Sequence, residues 1–217
     1  MEFGLVLIVA GVAALVGGVV WLGKIEEKQR TERMAEAART LGFAFEAVGN
    51  LDALRSLGDL PVYGHGHQKR ARNVLSGRAE GLDVKLLDYT YVIGSGKDQH
   101  AYAQSVLLVP GTHLPDLVLQ PETVLDRVAS AFGAQDIDFD ASPEFSRAYR
   151  LSGPDEVRIR SAFSAEALAF FAREKHWTVE VRGGTAGIYR SQRLCRPDEV
   201  KGALAERRAV LRALVPD

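Results

Sequence analysis

The sequence predicts an α+β protein in which one N-terminal transmembrane helix precedes a mainly antiparallel β-sheet domain with packed helices. Two observations carry this prediction. The run from Phe3 to Leu22 contains no polar side chain. After it, short strand-like segments bounded by Gly, Pro or charged turns are interspersed with helical patterns. The chain has 217 residues, which leaves room for one ordinary domain beyond the apolar run.

The apolar run is long enough to cross a bilayer. Its 20 residues would span about 30 Å as a helix, which matches the hydrocarbon thickness. Any other backbone conformation there would leave amides unpaired in lipid. The alternative is a cleaved signal peptide, which starts with basic residues and has a shorter apolar stretch. No Lys or Arg precedes this run, so we predict that residues 1–23 form an uncleaved anchor.

The flanking charges predict the orientation of the anchor. Lys24, Lys28 and Arg30 follow the run, together with Arg33 and Arg39. Basic residues stay on the cytoplasmic side of a membrane. We therefore expect a single-pass protein of the inner membrane with its N-terminus outside and its globular domain in the cytoplasm. The single cysteine, Cys195, suits a reducing compartment.

A seam of small residues lies within the predicted anchor. Gly4, Gly11 and Gly18 recur every seven residues, and Ala14 lies beside that line. Such a seam allows two membrane helices to approach closely, which favours a homodimer through the anchor. The alternative is that glycine is simply frequent in membrane helices.

Residues 24–42 are predicted to form a helical stalk. Glu26 and Arg30 have the i,i+4 spacing of an exposed helix. Met34, Ala38 and Leu41 form an apolar stripe at helical spacing, which predicts that the stalk docks on the domain.

The remaining chain divides into a β-rich half, residues 43–120, and a mixed α/β half, residues 121–217. No Pro- or Ser-rich linker separates the halves, so we treat them as one globular unit. Short connections rich in glycine predict hairpins and hence an antiparallel sheet. The predicted strands of the first half are Phe43–Val48, Leu60–His67, Ala71–Ala79, Leu82–Ile93 and Gln99–Val109. In the second half we expect helices at Thr123–Phe132, at Pro154–Lys175 and after Pro197, and a strand at Asp136–Asp140.

The charge balance argues against nucleic-acid binding. Glu2 is the only charged side chain in the first 23 residues, so the rest of the chain carries 27 basic and 27 acidic side chains. A neutral domain lacks the excess of cations that neutralises phosphates.

Asp88, Tyr89 and Tyr91 form the most unusual short segment. If the alternation of the strand holds, Asp88 shares a face with Leu82, Val84 and Leu86, and a half-buried carboxylate beside tyrosines can bind a ligand or titrate. The alternatives are that a phase shift at Leu86–Leu87 turns Asp88 outward, or that Asp88 pairs with Lys85 or with an arginine of Lys69–Arg72. A buried aspartate is rare unless it is paired.

His65 and His67 are weak candidates for a metal site. Two residues apart on a predicted strand, their rings would face one side, but a third ligand at recognisable spacing is missing. No catalytic signature surrounds Cys195. We therefore predict no cofactor.

Three segments carry a resemblance to a known group of proteins. They are Asn73-Val-Leu-Ser-Gly77, Asp88-Tyr-Thr-Tyr91 and the stretch Pro143 to Gly153. With the N-terminal anchor and basic stalk, the chain resembles a family of uncharacterised bacterial single-pass membrane proteins. The resemblance implies an inner-membrane location and supplies no activity, cofactor or site residue.

These observations favour a membrane-tethered, non-catalytic interaction or structural module with an unknown protein partner. A second hypothesis is a domain that binds a small ligand or a lipid headgroup at Asp88, Tyr89 and Tyr91. A third is a metal-dependent enzyme that uses His65, His67 and Asp88.

Overall fold

The computed structural model describes residues 23–123 and 136–215. The predicted anchor, its seam of Gly4, Gly11, Ala14 and Gly18, and nearly all of the helix predicted at Thr123–Phe132 lie outside these residues. Within the described residues, no helix is both long and apolar enough to cross a membrane.

One antiparallel sheet of eight strands organises the described chain, and six helices pack against it. The strand order is β1-β2-β3-β4-β8-β7-β5-β6, so strands from both predicted halves share a single sheet. This confirms the α+β class and the antiparallel sheet, while the boundaries of the two halves stay predictions. The strands are β1 (Ala44–Val48), β2 (His67–Ala79), β3 (Leu82–Ile93), β4 (His100–Val109), β5 (Leu117–Pro121), β6 (Tyr149–Ser152), β7 (Thr178–Arg182) and β8 (Thr185–Tyr189). The helices are α1 (23–41), α2 (Leu51–Leu57), α3 (Pro143–Ala148), α4 (Glu156–Ala162), α5 (Ala165–Arg173) and α6 (Val200–Leu214).

Two predicted strands are wrong. Leu60–His67 contains a 3₁₀ turn at Pro61–Gly64, because Pro61 fixes the backbone at the first turn position and cannot donate to a sheet. Residues 136–140 form no strand. There, the amide of Ile137 donates to the carbonyl of Leu151 at 2.8 Å, and the amide of Leu151 donates to the side chain of Asp136 at 2.9 Å, so one of the two contacts is made by a side chain and no backbone ladder forms.

The stalk helix docks on the sheet as the apolar stripe predicts. In α1, Met34 and Ala38 are fully buried in the larger of two hydrophobic cores. Gly42 follows with a φ of 70°, a left-handed conformation that ends helices and that glycine adopts without strain.

The sheet is covered on both faces, which explains why β3 shows no clean alternation. Val84 and Leu86 point into the larger core, which α1 and α3 to α6 cover. Leu87 and Tyr89 point into a smaller core beneath α2 and the 3₁₀ turn. Adjacent residues of a strand face opposite sides, so both sides of β3 must be apolar.

An aromatic cluster forms one end of the larger core. Phe145 on α3 is fully buried, and its ring lies 5.6 Å from that of Phe163 and 5.7 Å from that of Tyr149. Phe139 and Phe171 complete the cluster. The short helices α3 to α5 are therefore held to the sheet mainly by aromatic packing.

We expect Phe145→Ala to lower the free energy of unfolding by about 3–5 kcal/mol, because it removes a large side chain from a packed interior. Urea unfolding of the detergent-solubilised full chain measures this. Val157→Ala on α4, where the side chain is 76% exposed, is the control and should cost little. Equal effects of the two substitutions would contradict the placement of Phe145 in the core.

Candidate functional site

A β-bulge in β2 places a hydrogen-bond donor beside Asp88. The register shifts between Arg72, which pairs with Asp88, and Leu75, which pairs with Leu86. Asn73 occupies the bulge with a φ of 50°, and asparagine tolerates this left-handed region better than most residues. Its side chain is thereby brought to within 2.9 Å of the Asp88 carboxylate.

Asp88 is buried, with 4% of its surface exposed, and four hydrogen bonds satisfy its carboxylate. Arg30 on α1 donates two of them, from Nε to Oδ2 and from Nη2 to Oδ1, each at 2.9 Å. Asn73 donates to Oδ2, and the hydroxyl of Ser105 donates to Oδ1 at 2.6 Å. The parallel two-bond geometry is the strongest arrangement of a guanidinium with a carboxylate.

The network around Asp88 joins four parts of the chain. The amide of Cys195 donates to the Ser105 hydroxyl at 2.8 Å, and Nη2 of Arg30 also donates to the carbonyl of Cys195 at 2.9 Å. Helix α1, the bulge in β2, strand β4 and the segment before α6 therefore meet at one carboxylate. An ion pair between Glu27 and Arg72 adds a second link from α1 to β2.

The structure does not bring Asp88 together with Tyr89 and Tyr91. Asp88 faces α1, whereas both tyrosines lie on the opposite face of the sheet in the smaller core. There Tyr89 packs edge-on against Tyr63, with 5.4 Å between ring centroids, and Tyr91 stacks on Tyr102 at 5.0 Å. A single pocket formed by these three residues would have to pass through the sheet, although ligand binding by either side alone stays a prediction.

His65 and His67 do not share a strand. His65 follows the 3₁₀ turn, 6.1 Å from the ring of Tyr91. His67 opens β2 and lies within 2.9 Å of the carbonyl of Gly94. In the part of the chain that the structure describes, no group of three or more His, Cys, Asp or Glu side chains is placed to hold a metal ion.

Glu180 on β7 is a buried acidic residue that sequence reasoning missed. It is fully buried and faces the smaller core. Its Oε2 accepts from the amide of Val62 at 2.9 Å, and its Oε1 accepts from the hydroxyl of Tyr189 at 2.8 Å. Burial raises the pKa of Glu180 to about 7, although these two hydrogen bonds act in the opposite direction. Nothing local marks this residue, because Glu at a polar position of an alternating strand is ordinarily exposed.

Burial also raises the pKa values of two tyrosines near Glu180. Burial raises the pKa of both Tyr63 and Tyr89 above the ordinary value, and the nearby carboxylate of Glu180 adds to the effect. This face of the sheet thus carries several polar groups in an apolar layer, and Glu180 uses its two hydrogen bonds to hold the 3₁₀ turn against β7 and β8.

The fold defines an α+β class in which one eight-stranded antiparallel sheet is covered on both faces. Among solved structures, it is similar to the crystal structure of the mycobacterial trehalose monomycolate transport factor A, TtfA. The TM-score is 0.55 and the sequence identity is 13%, over 85% of this chain and 95% of that chain. No protein-family model and no curated protein matches the chain. The likeness at this identity concerns the fold.

We expect Asp88→Asn and Arg30→Gln each to lower the free energy of unfolding by about 3 kcal/mol, because either change leaves a buried polar group without its charged partner. The double variant should cost much less than the two single costs combined. Urea unfolding measures this coupling. Lys28→Gln, which alters an exposed side chain of the same helix, is the control, and additive costs would contradict the pairing.

We expect the stability of the chain to depend on Glu180 at mildly acidic pH. Its pKa of about 7 exceeds the unfolded value of about 4.3, so the folded state binds more protons between these two values. The free energy of unfolding should therefore fall as pH rises through this window, by on the order of 3–4 kcal/mol. Unfolding at a series of pH values measures the slope.

Glu180→Gln should flatten this slope, because glutamine does not titrate. Glu46→Gln at an exposed position of β1 should keep the slope of the wild type. An identical slope in Glu180→Gln and wild type would show that Glu180 does not titrate in this window.

Proposed function

We propose that this chain is a membrane-tethered, non-catalytic interaction module that acts in the handling of a lipid. In this proposal residues 3–22 span the inner membrane, the N-terminus lies outside and the sheet domain lies in the cytoplasm. The homodimer through the Gly4, Gly11, Ala14 and Gly18 seam and the unknown protein partner remain predictions within it.

The observation that carries the proposal is the attachment of α1 to the sheet. This helix is described from residue 23, directly after the apolar run in the sequence, and Arg30 joins it to Asp88 through two hydrogen bonds. Farther along, Met34 and Ala38 belong to the hydrophobic core. A tether that forms part of the core holds the domain in one orientation, whereas a flexible linker would leave the domain free to rotate. A fixed orientation suits a module that presents one surface to a membrane-bound partner.

Two further observations support the proposal. The fold is similar to that of TtfA, which is a trehalose monomycolate transport factor, and such a factor serves the movement of a lipid. The buried carboxylates of Asp88 and Glu180 accept hydrogen bonds from the elements that pack around them. These are the contacts of groups that hold a scaffold together, so they favour an interaction role over a chemical one.

The proposal predicts that the chain is an integral membrane protein with its C-terminus in the cytoplasm. The full chain should stay in membranes after a carbonate wash, and a tag after Asp217 should be protected from protease in intact spheroplasts. Leu7→Arg with Val12→Arg should release the chain, because each arginine costs about 3 kcal/mol at the centre of a membrane helix. Leu7→Ile with Val12→Ile is the matched control.

Deletion of the gene that encodes this chain should change how a lipid is distributed between membranes and leave the chemical structure of that lipid unchanged. Mass spectrometry of lipids from separated membrane fractions measures both. Accumulation of a precursor together with loss of its product would identify an enzyme and contradict the non-catalytic role. Release of the wild-type chain by carbonate would contradict the tether.

A further inference from the structure

A cationic cleft lies between α6 and the segment that joins β8 to it. The cleft has a volume of about 540 Å³, and residues 190–199 and the first turns of α6 form its walls. Four arginines and two glutamates contribute the charged side chains: Arg190, Arg193, Arg196, Arg207, Glu199 and Glu206. The cleft therefore has an excess of two positive charges in a chain that is close to neutral.

Arg207 is a buried cation that makes no direct ion pair with any residue that the structure describes. Only 4% of its surface is exposed. Its Nη1 donates to the carbonyl of Ala203 at 3.0 Å and its Nη2 donates to the carbonyl of Ser105 at 3.1 Å. Its Nε is buried and has no hydrogen-bond acceptor within residues 23–123 and 136–215. Burying a charge is costly unless an opposite charge compensates it.

A second arginine lies close to Arg207. The guanidinium of Arg190 lies 4.1 Å from the ring of Trp177, and that of Arg207 lies 5.6 Å from the same ring. Burial lowers the pKa of Arg207 and the charge of Arg190 lowers it further, while the nearby carboxylates of Glu206 and Asp88 act in the opposite direction. Two cations are thus held near one indole. Among the residues that the structure describes, Arg190 forms an ion pair with Glu206 at 3.4 Å, whereas Arg207 forms none.

The remaining two arginines lie toward the rim of the cleft. Arg196 pairs with Asp198 at 2.7 Å and with Glu199 at 3.5 Å. The exposed side chain of Arg193 makes no ion pair with any other residue that the structure describes. Arg193 and Arg207 are therefore the two arginines of the cleft that form no ion pair with a described residue.

The geometry points to a binding site for a phosphate group in this cleft. Guanidinium groups match the oxygen geometry of phosphate and bind it through paired hydrogen bonds. A phosphate in the cleft would place negative charge beside Arg207 and Arg190 and would offset the repulsion between them. The ligand is thus an anion whose phosphate group is small enough to enter the cleft.

The position of the cleft favours an anionic lipid headgroup as the source of the phosphate. Cys195 lines the cleft, and its carbonyl accepts from Arg30 of α1. Residues 23–30 are helical, so they place Arg30 about 12 Å along the helix from the end of the apolar run. This is within reach of the headgroups of the cytoplasmic leaflet. The choice of a lipid rests on the proposed membrane tether, whereas the phosphate site itself does not.

The test uses the full chain in a neutral detergent with Trp21→Phe, so that Trp177 is the remaining tryptophan. The probes are dihexanoyl phosphatidylglycerol, dihexanoyl phosphatidylcholine, glycerol 3-phosphate and inorganic phosphate. Trp177 emission and the melting temperature report binding. We expect phosphatidylglycerol to change the emission and to raise the melting temperature, and inorganic phosphate to do so only at far higher concentration.

Arg193→Gln tests the site without disturbing the fold, because its side chain is exposed. We expect it to weaken phosphatidylglycerol binding about tenfold, the value of one charge-assisted contact. Arg173→Gln is the matched control, since it removes one exposed arginine on α5, away from the cleft, and it should bind like wild type.

Each outcome decides part of the proposal. Absence of a response to every phosphate probe, or equal weakening by Arg193→Gln and Arg173→Gln, would overturn the site. Equal affinity for glycerol 3-phosphate and phosphatidylglycerol would support the phosphate site and overturn the lipid source. Failure of the tether shows separately, as release of the wild-type chain by carbonate, and leaves a phosphate response intact.

Discussion

The structure depends on how the carboxylate of Asp88 is compensated inside the sheet–helix interface. A buried carboxylate is unfavourable unless charged and polar donors replace water. Asp88 obtains its charged donor from Arg30, 58 residues away in the chain, and its neutral donors from Asn73 and Ser105. Because these donors come from separate elements, the carboxylate can be satisfied only when α1, β2 and β4 are all in place. The pair therefore makes the helix that follows the apolar run part of the domain.

This attachment has consequences on both sides of α1. Toward the core, it sets the position of Met34 and Ala38. Toward the segment before α6, Arg30 fixes the carbonyl of Cys195 and thereby one wall of the arginine-lined cleft. The proposed tether and the proposed phosphate site thus share one structural element. The opposite face of the sheet is organised separately, around Glu180 and the 3₁₀ turn that it holds.

The features that the sequence predicts are those with local causes. Strand β3 lies at Leu82–Ile93 as predicted, because turn residues bound it and the tight turn needs a positive φ at Glu80 and Gly81. The docking stripe of α1 follows from helical periodicity alone. In contrast, the sequence offers only Lys85 or an arginine of Lys69–Arg72 as possible partners of Asp88, because a strand pattern reveals only nearby cations. The bulge at Asn73 and the distant Arg30 decide that contact. Glu180 and the turn at Pro61–Gly64 depend on each other across 118 residues, so neither is visible locally.

Amide hydrogen exchange of the full chain in detergent tests most directly whether α1 is part of the domain. The free energy of exchange should be similar for the amides of residues 31–41 and for those of β3 and β4, since a helix within the core opens only when the core opens. In Asp88→Asn the amides of α1 should lose more protection than those of β4. Near-unprotected α1 amides in the wild type, beside a fully protected sheet, would show that the stalk is only loosely attached and would contradict the account.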